Sequence, residues 1–435
     1  MTDSKRIVIN TFGSFGDIHP YMAIAAELKT RGHQPVIATM EFYRGKIERA
    51  GLEFAPVRPN IPAPKEQDQK LIERIMEPKC GPRFLMEEII FPAIRDAYDD
   101  LMSIAAGADL LITHPAAPAG PMVAHKTGLP WISTVLAPLS FFSAYDPPTP
   151  PFWPWLSKIS VLGPRVMRLF LDTIKRGYKA EQVQKVRINL GIADYGNPMF
   201  EGQHSPFLVL AMFSPLFAAP QKDWPPQTEI TGFAFYNGGD EGELPSELEE
   251  FLVRGEAPIV FTLGTSAVWV ASDFFEQSVV AATKLGRRAV LLIGDERNQP
   301  LSLPETVIAI DYAPYHVLLP RACAVVHHGG VGTTAQSLRA GVPSLIVPFA
   351  FDQVDNAMHA VRLGTSRTVY RRNYKGELVT RELELVMKAQ YIERARVVGL
   401  TLKEEHGASR AADLIEQFSI TTANKEEEPV YASGH

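Results

Sequence analysis

The chain is poor in cysteine. Among its 435 residues only Cys80 and Cys323 carry a thiol, which excludes a disulfide scaffold and a four-cysteine zinc site and points to a reducing compartment. It has no excess of basic charge. The 43 Lys and Arg stand against 49 Asp and Glu, a net charge of −6, so the electrostatic footprint of a nucleic-acid binder is missing. Long apolar runs are also scarce. The start, Met1-Thr-Asp-Ser-Lys-Arg, leads into Ile7-Val-Ile-Asn, too short an apolar run for the core of a signal peptide. One uncharged stretch, 127–145, has the length of a membrane span, but Pro130 and Pro138 interrupt it and it reads as strand plus loop. No Asp-x-Asp occurs, so one common divalent-metal handle is missing. These absences leave a soluble, cytoplasmic, multi-domain enzyme as the expectation.

What is present is alternation. Strands are predicted at 6–10, 34–39, 54–57, 109–113, 131–135 and 207–211, with helices at 20–30, 83–106 and 171–189. Such alternation means a parallel sheet covered by helices on both faces. A proline-rich stretch without periodicity follows and reads as a linker. The alternation then restarts, with strands at 259–263, 289–293, 307–310, 324–327 and 344–347 and helices at 273–285, 332–339, 352–363 and 380–418. The expected organisation is an N-terminal domain over 1–215, a linker over 216–245 and a second domain over 246–420, whose last helix can return to the first domain. The polar residues 421–435 read as a disordered tail. Two doubly wound, Rossmann-like α/β domains would then face each other across a cleft, a common place for a ligand.

Three strand-to-loop motifs carry chemistry. His327-His-Gly-Gly-Val-Gly-Thr-Thr334 follows a predicted strand and opens a helix. Backbone N–H groups at such a turn approach an anion closely, and the helix start adds roughly half a positive charge. With His328, Thr333 and Thr334 the turn suits a diphosphate, although a tight turn with a helix cap would use the same residues. It is neither a Walker loop nor Gly-x-Gly-x-x-Gly, so nucleoside triphosphates and nicotinamide cofactors are not indicated. Asp352-Gln353 follows the strand at 344–347. A carboxylate beside an amide can read several sugar hydroxyls, or Asp352 can cap the next helix. Phe261-Thr-Leu-Gly-Thr265-Ser266 places small hydroxyl residues after another strand.

Taken in this order, these segments resemble the signature of two-domain nucleotide-sugar glycosyltransferases of the GT-B type, closest to the sterol, antibiotic and plant secondary-metabolite enzymes of family 1. Gly13-Ser-Phe-Gly-Asp17-Ile-His-Pro20 resembles the N-terminal motif of the sterol and antibiotic branches. The resemblance implies that His328, Gly330, Gly332, Thr333, Thr334 and Thr265, with Ser14 and Ser266 beside them, meet the donor diphosphate. It implies that Asp352 and Gln353 hold the sugar, that Tyr312 stacks on the base beside the Ala313 backbone, and that Gln336 meets the ribose. Gln336 stands where plant members carry a glutamate, which leaves UDP and dTDP both open.

Transfer with inversion needs a base for the acceptor's proton. The resemblance implies Asp17. His19, two residues on, is a rival, and His114, which ends a predicted strand, is a candidate partner for Asp17. The segment 141–155 holds Phe141, Phe142, Tyr145, Trp153 and Trp155 among prolines. It reads as an apolar acceptor pocket, as a lip touching a membrane surface, or as a packed surface loop. The expected activity is inverting, metal-independent transfer of a hexose, foremost glucose from UDP-glucose, to a hydroxyl of a lipophilic small molecule. The nucleotide sugar is a co-substrate, and no other cofactor is expected. A nucleotide-sugar epimerase and a non-catalytic protein of the same fold are the alternatives.

Overall fold

The computed structural model describes residues 4–62, 69–149, 160–177, 180–192, 196–197, 200–238 and 242–426. Its first sheet joins β1 (Arg6–Asn10), β2 (Gln34–Thr39), β3 (Glu53–Pro56), β4 (Leu110–Thr113), β5 (Trp131–Val135), β6 (Val209–Ala211) and β7 (Thr228–Ile230) in the order 3-2-1-4-5-6-7. The second joins β8 (Ile259–Thr262), β9 (Ala289–Leu292), β10 (Val307–Ile310), β11 (Ala324–His327), β12 (Ser344–Ile346) and β13 (Ser366–Thr368) in the order 10-9-8-11-12-13. The described strand pairs are parallel. Strands covered on both faces need continuous apolar runs, and Ile7, Val8, Ile9 and Ile259, Val260, Phe261 are all buried. This is the doubly wound pair of domains that the alternation calls for.

In such sheets the strand order reverses at one crevice, and ligands bind there outside the carboxyl ends of the strands. The reversals fall between β1 and β4 and between β8 and β11. The loops that leave these four strands lead to Asp17, His114, Thr265 and His328. Both switch points therefore carry the residues singled out by motif.

Several expectations need correction. The first helix, α1 (Phe15–Thr30), starts five residues before Pro20 and takes the proline inside it, because a Ser14–Asp17 capping box sets its start. The helix expected at 83–106 is broken: it runs as Gly81–Phe84, a wide π-type turn at Leu85–Ile90, and Ile94–Ile104. The stretch read as a linker supplies the edge strand β7 and buries Phe217, Trp224 and Phe233. Three residues are too few to show a period. The same brevity hid β13. The last helix extends to Glu426, into the residues expected to be disordered.

The two cores interleave. Helix α2 (Gln69–Ile75) belongs to the first half of the chain, yet Ile72 and the nearby Met76 are buried in the second domain's core. The last helix, here α5 (Gly407–Glu426), buries Ala411, Ala412, Leu414 and Ile415 in the first. Arg31, at the end of α1, bonds Asp413 at 2.6 Å and Glu416 at 2.9 Å, and His33 Nε2 lies 3.0 Å from Glu416.

Candidate active site

Ser14 is the N-cap of α1, and its Oγ accepts from Gly16 N–H. Asp17 closes the box, with Oδ2 accepting from Ser14 N–H at 2.7 Å and from Ser14 Oγ at 3.0 Å. The hydroxyl expected to face the donor is thus spent on the cap. Gly13 has φ +135°, and a Cβ there would lie 2.3 Å from Asp17 Oδ2, so only glycine admits the carboxylate.

Asp17 Oδ1 remains, 3.8 Å from His114 Nε2. His114 Nδ1 accepts from Ala116 N–H at 3.1 Å, which places the neutral ring's proton on Nε2, toward Asp17. Burial lowers the His114 pKa to about 3 and raises that of Asp17 to about 6 against its cap hydrogen bonds. The pair is therefore a carboxylate that holds its proton weakly near neutrality and an imidazole that stays uncharged. Tyr21 meets the His114 ring edge-on, and Tyr43 Oη donates to Gly13 O at 2.7 Å. These two tyrosines have no local signature in the sequence. His19 stands two residues beyond Asp17, a spacing that does not share a helix face. Its ring lies 5.4 Å from that of Phe15 and 5.5 Å from that of Tyr236.

Across the cleft, β11 ends in His327, His328 follows it, and Gly330 caps helix α3 (Val331–Ala340). His328 is 5% exposed, with a pKa lowered by burial to about 4, so it is a neutral donor or acceptor. A Cβ on Gly330 would lie 2.4 Å from its Nε2, so the turn's second glycine makes room for the ring. Thr334 donates its hydroxyl back to Gly330 O at 3.0 Å, and Thr333 bonds Tyr315. Gln336 and Ser266 are half-buried and Thr265 is exposed. Tyr312 is exposed, whereas Ala313 is buried in the core beneath it.

Helix α4 (Gln353–Arg362) follows β12. Asp352 occupies its N-cap position without capping it. Its carboxylate instead accepts from Asn356 Nδ2 at 2.8 Å, and the same nitrogen reaches Gly329 O at 3.0 Å. Asn356 thereby joins Asp352 to the turn that carries His328. Its position four residues on was the available signal, since i and i+4 share a helix face. Gln353 Oε1 accepts from Phe349 N–H at 2.8 Å and Ala350 N–H at 3.0 Å, which leaves its amide N–H groups for a ligand. Phe351 has φ +55°, a strained setting for a bulky residue and a common one beside functional sites. Asp352 is pushed up to about 7, chiefly by burial and in part by the charge of Asp17 across the cleft.

The domains meet where these helices begin. A Cβ on Gly332 would lie 3.5 Å from Gly16 Cα, so the N-termini of α1 and α3 face each other with glycine on both sides. Two partial positive charges converge on one gap. A cavity of about 580 Å³ lies between Lys79 of the first domain and Phe274, Phe349 and Tyr374 of the second, and none of Asp17, Thr265, His328 and Asp352 lines it.

The aromatic segment divides. Trp153 and Trp155 lie outside the described residues. Phe141 is buried and stacks on Trp224 at 4.2 Å, so it is a core ring and not an acceptor contact. Phe142 is half-buried and packs on a small cluster with Ala144, Met167 and Leu171. Tyr145 is exposed. Among the described residues no helix is long and apolar enough to cross a membrane.

Residues 7–104 match the glycosyltransferase family 28 N-terminal domain, and residues 280–407 match the erythromycin biosynthesis protein CIII-like C-terminal domain. The chain is 31% identical over 432 residues to O-mycaminosyltylonolide 6-deoxyallosyltransferase of Streptomyces fradiae, covering 96% of this chain and 98% of that one. It is 29% identical over 428 residues to sterol 3-beta-glucosyltransferase of Leptosphaeria maculans, covering 94% of this chain but only 28% of that longer protein. In fold it is similar to the glycosyltransferase VinC solved in complex with dTDP, with a TM-score of 0.65 at 20% identity and coverage of 96% and 100%. A relative matched end to end, with a family model on each side of the cleft, settles the kinship: the chain belongs to the nucleotide-sugar glycosyltransferases of the GT-B fold.

Proposed function

We propose that this enzyme transfers a hexosyl group, with inversion and without a metal ion, from a pyrimidine-nucleoside diphosphate sugar to a hydroxyl of a lipophilic small molecule. The observation that carries the reading is the meeting of two helix N-termini, one holding Asp17 and the other preceded by His328, at a single gap. The acceptor's O–H gives its proton to Asp17 as its oxygen bonds the anomeric carbon. The bond from that carbon to the diphosphate oxygen breaks, and its electron pair leaves with the nucleotide. The charge that develops there is met by the first N–H groups of α3 and by neutral His328, the task a metal performs in other enzymes. A single displacement inverts the anomeric centre. In this reading Asp352 and Gln353 bond the sugar's hydroxyls.

The donor reading draws on relatives. The names of the Streptomyces and fungal enzymes speak of a deoxyhexose and of glucose, and dTDP occupies VinC. UDP-glucose and dTDP-glucose are accordingly the two donors to test. The acceptors in those names, a macrolide glycoside and a sterol, are large, apolar and hydroxylated. We assign the same class here and place the enzyme in the cytoplasm, where the free thiols Cys80 and Cys323 remain reduced. The test incubates the protein with each donor and a panel of phenols, sterols and macrolide aglycones, with excess chelator present. A β-linked product from the α-configured donor is expected. Donor hydrolysis only, a retained anomer, or activity restored by magnesium would each overturn part of the reading.

A further inference from the structure

The loop after β5 belongs to the first domain, yet it is tied to helix α4 of the second. Thr149 N–H donates to Asp355 Oδ1 at 2.8 Å, with both residues nearly fully buried. Asp146 adds an outer clasp, 2.7 Å from Arg362 at the far end of the same helix. His359 lies between them, 3.4 Å from Asp355 Oδ2, and its Nδ1 donates to Phe217 O at 2.8 Å. On the first domain's side, Asp223 holds the loop's other end through Ser143 Oγ at 2.6 Å and Ala144 N–H at 2.7 Å. Residues 143–149 thus span the two domains, and Asp355 grips them from a position three residues after Asp352.

We propose that Asp355 is a positioning residue that couples donor binding to the order of the loop at residues 143–149, which joins the two domains. The inference rests on the functional reading above, in which Asp352 and Gln353 hold the donor sugar. These two residues open α4, and Asp355 stands in its first turn. A helix turn moves as a unit, so a shift that seats the sugar carries Asp355 with it. The Thr149 bond resists rupture, because Asp355 Oδ2 makes no hydrogen bond and has only the His359 ring 3.4 Å away, so losing the bond would leave a buried carboxylate poorly satisfied. The loop therefore follows the helix.

The test reads backbone amide exchange at Thr149 in the full chain, with and without a slowly transferred 2-fluoro analogue of UDP-glucose or dTDP-glucose. In the wild type the analogue slows Thr149 exchange by about tenfold or more, the signature of a closed local opening equilibrium. Asp355→Ala exchanges fast in both states. Asp355→Asn, whose Oδ1 still accepts from Thr149 N–H, behaves as the wild type. Asp223→Ala frees the amide of Ala144 and leaves the response of Thr149 in place. The proposal is overturned if Asp355→Ala keeps a slow, analogue-responsive Thr149 amide, or if Asp355→Asn loses the response at an unchanged Tm. Analogue bound without any change at Thr149 in the wild type overturns the coupling alone. If no form binds either analogue, the functional reading falls and the coupling falls with it.

Discussion

Asp17 serves as a helix cap and, in the mechanism proposed here, as a base, and the division of labour is visible in its two oxygens. Oδ2 takes both Ser14 bonds, and Oδ1 is left toward His114 and the cleft. A base must be ionised, so with a pKa raised to about 6 the rate should climb as pH rises through 6 and fall away below it. Asp17→Asn should lower turnover by ~10²–10⁴-fold and abolish that acid limb, which a pH–rate profile reads directly. The same shift has a stability consequence of opposite sense. A carboxyl whose folded pKa exceeds its unfolded value favours folding only while protonated, and that contribution is lost as pH rises through 6. Full shielding would make the penalty about 3 kcal/mol at pH 7.5, and the 31% exposure of the side chain reduces it to about 1–2 kcal/mol. Asp17→Asn should therefore raise Tm at pH 7.5 while removing activity, an outcome checked by calorimetry. Gln353→Ala should act differently. It orphans the buried N–H groups of Phe349 and Ala350, at about 1–3 kcal/mol each, so it should lower Tm as well as weaken binding of the sugar nucleotide relative to the bare nucleotide.

The start of α1 shows why some of this was legible and some was not. Gly13, Ser14 and Asp17 stood out as a motif, and the Ser-x-x-Asp spacing of a capping box was present in the same four residues. Pro20 hid it, because proline favours the first turn of a helix and drew the predicted start five residues too late. The turn after β11 read more faithfully, since a buried strand, a glycine run and a helix follow each other without interruption from Ala324 to Ala340. Phe141 misled for a different reason. Aromatic rings near prolines look alike whether they line a pocket or stack on a distant tryptophan, and Trp224 lies 83 positions away. The Asp17–His114 and Thr149–Asp355 contacts are set by topology, and no local pattern announces them. The return of α5 makes a test at this level. Ile415 is fully buried in the first domain's core, so Ile415→Ala should cost about 2–5 kcal/mol, seen in denaturant unfolding, although the residue follows the whole second domain in the chain.

Each domain lends apolar residues to the other's core through α2 and α5, and the buried Thr149–Asp355 bond adds a polar tie. The two halves are thereby tied together. The facing N-termini of α1 and α3 bear on any opening between them. Two like partial charges repel when nothing lies between them and hold together when an anion does. In the mechanism proposed here the anion outlasts the chemistry, because the sugar departs with the acceptor while the nucleotide keeps its diphosphate in the gap. The spent nucleotide would then be the clamp that keeps the cleft shut, and turnover would wait on its escape. Such an enzyme slows in viscous solvent even when its chemical step is fast, since opening displaces solvent. Added glycerol or sucrose should depress kcat in proportion to relative viscosity for a good acceptor. The dependence should vanish for Asp17→Asn, in which bond-making has become the slow event.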